Sequence, residues 1–223
     1  MIRHYEGIVI RQTKTVGARR MVLVFTREEG KLSFGTHISE KGKGGGALAI
    51  RPFARGSYTV TERQGDLRTI SSAEAIDAHF ALGEDADRFA EASYALEFTD
   101  KLLPEGVRAA QVFDLLKEYL SMLAARKSDF RLLTISYMVK VMQEHGVFPD
   151  AGSLAEAELL TGLNDDILNV LAFIAEQSLG RMDALALESE KERAVFGAVK
   201  SFAYAQLDIG TIKSERMLAQ GKK

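Results

Sequence analysis

The hydrophobic period of this chain changes once, near residue 80, and that change limits its architecture more than any single motif. Before it, the pattern is that of strands. Ile8-Val9-Ile10 and Met21-Val22-Leu23-Val24-Phe25 are short apolar runs rich in β-branched residues. Leu32, Phe34, Thr36 and Ile38 alternate with Ser33, Gly35, His37 and Ser39, the period-two signature of a half-buried strand. Tyr58-Thr59-Val60-Thr61 and Leu67-Arg68-Thr69-Ile70 flank Gln64-Gly65-Asp66, a hairpin turn, and Glu29-Gly30-Lys31 reads as another turn. About five short strands with tight turns predict a small barrel.

Beyond it the spacing is helical. Ser71-Ser72-Ala73-Glu74 has capping-box spacing and predicts a short helix. Phe89, Ala92, Leu96 and Leu103 share one face, stopped by Pro104-Glu105-Gly106. Val112, Leu116, Tyr119 and Leu123 mark a second helix. Phe130, Leu133, Tyr137, Val141 and Met142 mark a third, ending at His145-Gly146. Ser153-Leu154-Ala155-Glu156 is another capping-box match. Ile167, Leu168, Leu171, Ile174 and Leu179 make a fourth helix, and Ser189-Glu190-Lys191-Glu192 opens a fifth carrying Val195, Phe196, Val199 and Phe202. The expected fold class is α+β and multi-domain: a β-barrel over residues 1–80, then an all-α helical domain over 81–223.

Charge divides along the same line. Residues 1–80 hold 13 Lys and Arg against 8 Asp and Glu, whereas residues 81–223 hold 16 against 23. A basic barrel on an acidic helical part points to a polyanionic partner for the first. The chain has no cysteine, which removes disulfides, thiolate zinc sites and cysteine nucleophiles. No apolar run approaches the roughly 20 residues of a membrane span, and no secretory signal is seen at the start. The expectation is a cytoplasmic protein with no membrane partner.

Motifs for chemistry are missing. There is no phosphate loop, dinucleotide fingerprint, nucleophile elbow or H-E-x-x-H. Gly42-Lys43-Gly44-Gly45-Gly46 has the wrong spacing for a nucleotide cradle and reads as a loop joining two strands. His4, His37, His79 and His145 are scattered and read as structural, and Asp165-Asp166 begins a helix, where negative charge is favoured. The chain is read as a binding protein and not an enzyme, without cofactor or metal. The candidate DNA-binding set is Arg11, Lys14, Arg19, Arg20, Lys31, Lys41, Lys43, Arg51 and Arg55, because loops at one rim of a small barrel are where single strands are gripped. Phe34, Phe53 and Tyr58 are possible stacking residues, although aromatics at period-two positions more often belong to a core.

Several segments resemble the RecO family. Gly7-Ile8-Val9-Ile10-Arg11 looks like its first strand, and Val24-Phe25-Thr26-Arg27-Glu28-Glu29-Gly30-Lys31-Leu32 is similar to its "lfTrehGkl" segment. Ala47-Leu48 through Arg51-Pro52-Phe53 looks like "gaLqPf". Phe89 through Pro104, including Ala92-Ser93-Tyr94-Ala95-Leu96-Glu97, looks like "ayasYllEl…rLlpe". Phe148-Pro149-Asp150 and Lys213-Ser214-Glu215-Arg216-Met217-Leu218 resemble its central hairpin end and its "KSlrfL" signature.

The resemblance implies an N-terminal OB-fold, binding of single- and double-stranded DNA, and annealing of complementary strands. It implies action with RecR and with the acidic C-terminal tail of single-stranded DNA-binding protein, so that RecA is loaded, in the bacterial cytoplasm at the nucleoid. Arg126, Lys127 and Arg131 are the candidates for that tail. Two departures stand out. The family's four-cysteine zinc site cannot exist here, and packing around Leu154, Leu159 and Leu160 is the expected substitute. The loop between the third and fourth strands keeps only Lys41 and Lys43. Two other readings remain beside this one: an RNA-binding or translation-associated OB-fold module, and an enzyme whose site is spread over loops.

Overall fold

A computed structural model describes residues 1–14, 20–39, 42, 44–62 and 68–218. The chain divides into two compact units, Met1–Ala81 with Leu103–Lys117, and Leu82–Leu102 with Glu118–Lys223. The helix Ala110–Ala125 contributes its first half to one and its second half to the other.

The first unit is a closed barrel of β1 (Ile2–Lys14), β2 (Arg20–Thr26), β3 (Gly30–Thr36), β4 (Arg55–Glu62) and β5 (Arg68–Asp77), in the order β1-β2-β3-β5-β4. All neighbours are antiparallel except β3 and β5, which close the barrel through Gly35↔Thr69 and Thr36↔Ile70. A short helix, α1 (Gly45–Ala49), lies between β3 and β4. This is the OB-fold arrangement. The interior is filled by Tyr5, Val9, Val22, Val24, Leu32, Phe34, Tyr58, Val60 and Ile70, with Ala49 and Ile50 from the end of α1. The Tyr58 hydroxyl donates to the Ala49 carbonyl at 2.6 Å, which fastens α1 to that core.

The unbroken apolar run in β2 has a physical cause. A strand buried on both faces needs no polar alternation. Val22 and Val24 point inward, and Leu23 and Phe25 are also buried. Phe25 meets Phe113 edge-on at 5.6 Å between ring centres. Around this contact residues 103–117 are joined to the β2–β3 turn. Gly106 N–H donates to the Lys31 carbonyl at 2.8 Å, and Arg27 grips Asp114 at 3.0 and 3.4 Å. Gly30 has φ +76°, and a Cβ there would lie 1.9 Å from the Val107 carbonyl oxygen. Glycine is required at this position both for its backbone conformation and for the close approach.

The second unit is helical: α2 (Ala86–Leu102), the second half of α3 (Ala110–Ala125), α4 (Phe130–Glu144), α5 (Asp165–Glu176), α6 (Ser189–Gln206) and α7 (Glu215–Leu218). Ten of the fifteen residues of α4 are buried, so it is covered almost all round, with α2, α5 and α6 packed on it. Its hydroxyls are satisfied. Thr134 bonds Tyr119 at 2.8 Å, Ser136 donates to the Leu132 carbonyl at 2.9 Å, and Tyr137 bonds Thr99 at 2.6 Å. The Glu97 carboxylate on α2 accepts from Lys213 N–H, Ser214 N–H and the Ser214 hydroxyl at 2.8, 2.8 and 2.7 Å, which anchors the segment leading into α7.

Several expectations are corrected. Ser71 to Glu74 do not open a helix. They lie in β5, paired with β4 through Thr59↔Ser72 and Ser57↔Glu74, because barrel closure outweighs a local capping preference. Ser153 starts only a 3-10 turn, Leu154–Glu156. Helix α5 is instead capped by Asn164, whose side chain accepts from Ile167 N–H at 2.9 Å. Ser189 is already inside α6, whose cap is Glu188 without a side-chain bond. The glycine run leads into α1 at Gly45 and does not simply join two strands. Phe89 is 41% exposed and stands apart from the buried Ala92 and Leu96. Leu154 and Leu160 are buried, but Leu159 is 45% exposed. The Gln64-Gly65-Asp66 turn lies outside the described residues.

Two predictions follow from these joints. Gly30→Ala should cost about 2 kcal/mol or more, read by urea denaturation; unchanged stability would contradict the Val107 approach. Burial raises the Glu97 carboxyl, but the bonds from Lys213 and Ser214 and the nearby Lys101 outweigh it, leaving its pKa below the ordinary value. Stability from Glu97 is therefore present above the unfolded carboxylate range and is lost as pH falls through the lower folded value. Glu97→Gln should flatten that acid limb in melts run against pH, and should speed proteolysis near residue 213.

Candidate nucleic-acid interface

At one end of the barrel, antiparallel pairing places Lys14 opposite Arg20 and Gln12 opposite Val22. Arg20 is also paired with Thr36 at the end of β3. Arg20 Nη1 donates to Gln12 Oε1 at 3.1 Å. The Gln12 amide donates in turn to the Ile50 carbonyl, and Arg51 follows directly. Arg11 and Arg51 are exposed, whereas Arg20 is half-buried. Of the nine basic candidates, Lys14 and Arg20 thus pair at the β1–β2 end, Arg51 follows the carbonyl that Gln12 holds, and Arg11 lies opposite Leu23, midway along β2. Arg19, Lys41 and Lys43 lie outside the described residues. Gln12 was not legible as part of this set, because an uncharged residue in a strand carries no electrostatic signal.

The remaining two are placed differently. Lys31 is only 6% exposed and sits where residues 103–117 join the barrel, so it is poorly placed to meet a phosphate. Arg55 opens β4, opposite Ile8 of β1 and Asp77 at the end of β5, and its Nη1 is 2.8 Å from Glu6 Oε1. Phe34, Phe53 and Tyr58 are all buried, and none is displayed for stacking on a base. At the opposite barrel end charge is neutralised internally. Arg3 pairs with Glu29 at 2.5 Å and with Glu62 at 3.2 Å, and Arg68 pairs with Glu62 at 3.2 Å. Arg3, Arg68, Glu29 and Glu62 thus form a mixed-charge network.

Comparison with known proteins fits this geometry. A family model described as "Recombination protein O N terminal" matches residues 1–79, and one described as "Recombination protein O C terminal" matches residues 83–158. The chain belongs to the RecO family. Similar relatives include DNA repair protein RecO of Alkaliphilus metalliredigens, 24% identical over 149 residues, which cover 67% of this chain and 60% of the relative. That of Desulforudis audaxviator is 29% identical over 150 residues, 67% of this chain and 59% of the relative. That of Listeria monocytogenes serotype 4a is 29% identical over 157 residues, 70% and 61%. The chain spans about three-fifths of the length of these curated relatives.

The RecO-like segments also find structural reasons. The Val24–Leu32 stretch is the β2–β3 turn that receives residues 103–117. Glu97, from the Phe89–Pro104 resemblance, holds Lys213 and Ser214 of the last one, although residues 213–218 lie beyond both family matches. Among the described residues no group of three or more His, Cys, Asp or Glu is placed to hold a metal ion, and no helix is long and apolar enough to cross a membrane.

Arg126, Lys127 and Arg131 do not form a cationic rim. Lys127 and Arg131 line a cleft of about 400 Å³ together with Asp85, Asp87, Glu91, Asp129 and Glu192, so carboxylates outnumber cations. Arg126 donates to the Ser128 carbonyl at 3.0 Å. Arg131 is bound to Glu91, stacks over Phe196 at 4.6 Å and reaches the Leu218 carbonyl at 3.5 Å. Glu91 is 3% exposed, and burial raises its carboxyl despite Arg131. Arg131→Ala should therefore destabilise the second unit by about 3–5 kcal/mol. Thermal melting would show it, and a variant that melts like the wild type would contradict this structural role.

Proposed function

We propose that this chain is a DNA repair and recombination mediator. Its barrel binds single- and double-stranded DNA and anneals complementary strands. With RecR it acts on DNA coated by single-stranded DNA-binding protein and so helps to load RecA, at the nucleoid of a bacterial cytoplasm. Membership of the RecO family carries this reading, and Lys14 paired with Arg20 at the β1–β2 end of an OB-fold barrel, with Arg11 and Arg51 exposed on the same unit, supports it. The mechanism is electrostatic: cations neutralise phosphates on two strands, release counterions and raise the local concentration of one strand near the other. It requires no nucleotide hydrolysis. The acidic tail of the coating protein is assigned to the helical unit, but not to the carboxylate-rich cleft, where like charges would repel it.

The test is annealing of complementary oligonucleotides precoated with the cognate single-stranded DNA-binding protein, without nucleotide. Acceleration should be lost when the coating protein's tail is deleted. Binding should also weaken with salt by about 0.7 in log–log slope for each single-strand phosphate contact. A folded chain that anneals nothing at any salt, yet binds RNA, would overturn the proposal in favour of an RNA-binding module.

A further inference from the structure

We infer that Gln12 is a positioning residue of this interface: it holds the Arg20 guanidinium and ties it to the turn that carries Arg51. The inference rests on the barrel-end reading above. Gln12 is half-buried on β1, opposite Val22 of the barrel core. Its Oε1 accepts from Arg20 Nη1 at 3.1 Å, and its amide donates to the Ile50 carbonyl. One side chain thus links the β1–β2 end of the barrel to the exit of α1.

The residue type matters. A side-chain amide offers an acceptor and a donor on separate atoms of one tip. A carboxylate would accept from Arg20 but could not donate to the carbonyl, and an ammonium would do the reverse. An apolar residue would suit the strand but release both partners. Arginine loses rotamer freedom on gripping a phosphate, and a guanidinium already held in place loses less. Gln12 therefore acts through Arg20 and Arg51 and need not touch DNA.

The experiment compares the full chain with Gln12→Met, Gln12→Glu, Arg20→Ala and Gln12→Met/Arg20→Ala, by fluorescence anisotropy of a labelled oligothymidylate across a salt series, with melting temperature measured for each. Gln12→Met keeps length and volume without the two bonds. It should weaken binding about five-fold and lower the salt slope toward that of Arg20→Ala. The double variant should lose less than the two single losses combined. Gln12→Glu, which sets a carboxylate beside Arg20, should bind more weakly than Gln12→Met at low salt and converge with it at high salt. Wild-type affinity and slope in Gln12→Met, while Arg20→Ala is weakened, overturns the inference. If Gln12→Met also melts early, the cycle with Arg20→Ala decides, and additive losses overturn it. Absence of oligothymidylate binding by the wild-type chain removes the barrel-end reading first, and this inference with it.

Discussion

Closing five strands into a barrel fills its interior but leaves the outer surface of β2 to be covered from elsewhere, and Phe25 lies on that surface. Phe113 meets it edge-on, and most other features of the first unit are arranged around that contact. Gly30 makes room for the Val107 carbonyl, the Lys31 carbonyl accepts from Gly106, and Arg27 reaches Asp114. The Arg27 pair is half-exposed and contributes little by itself. Aromatic burial and the tight glycine approach carry the joint. Residues 103–117 are thus part of the barrel unit although they follow a helix of the other one.

The second unit depends on α4 in a comparable way. A helix buried almost all round has to satisfy every hydroxyl it takes inside, and Thr134, Ser136 and Tyr137 each do so locally or through α2 and α3. A buried ion pair, Arg131 with Glu91, is supported by Phe196 and the Leu218 carbonyl. That arrangement builds Arg131 into the framework of the unit. Such a residue looks identical in sequence to a surface cation, and only its neighbours separate the two roles.

The barrel end shows the same distinction at the level of function. Lys14 and Arg20 pair at the end of β1 and β2, while Arg3 and Arg68 are bound to Glu29 and Glu62. Where a field is uneven it orients a polyanion as well as attracting it.

Sequence alone determined the change from strand to helix near residue 80, the barrel, the helix stop at Gly146, and the family, because period, turn residues and motif order are local properties of the chain. It could not determine that Ser71 to Glu74 form a strand, that Lys31 and Arg131 are consumed in packing, or that residues 103–117 join the barrel. Each of those depends on which segments meet across long separations, where burial and pairing outweigh local preference. Only the tertiary structure brought Gln12, Arg20 and the Ile50 carbonyl together, since nothing in their spacing of 8 and 38 residues announces a contact.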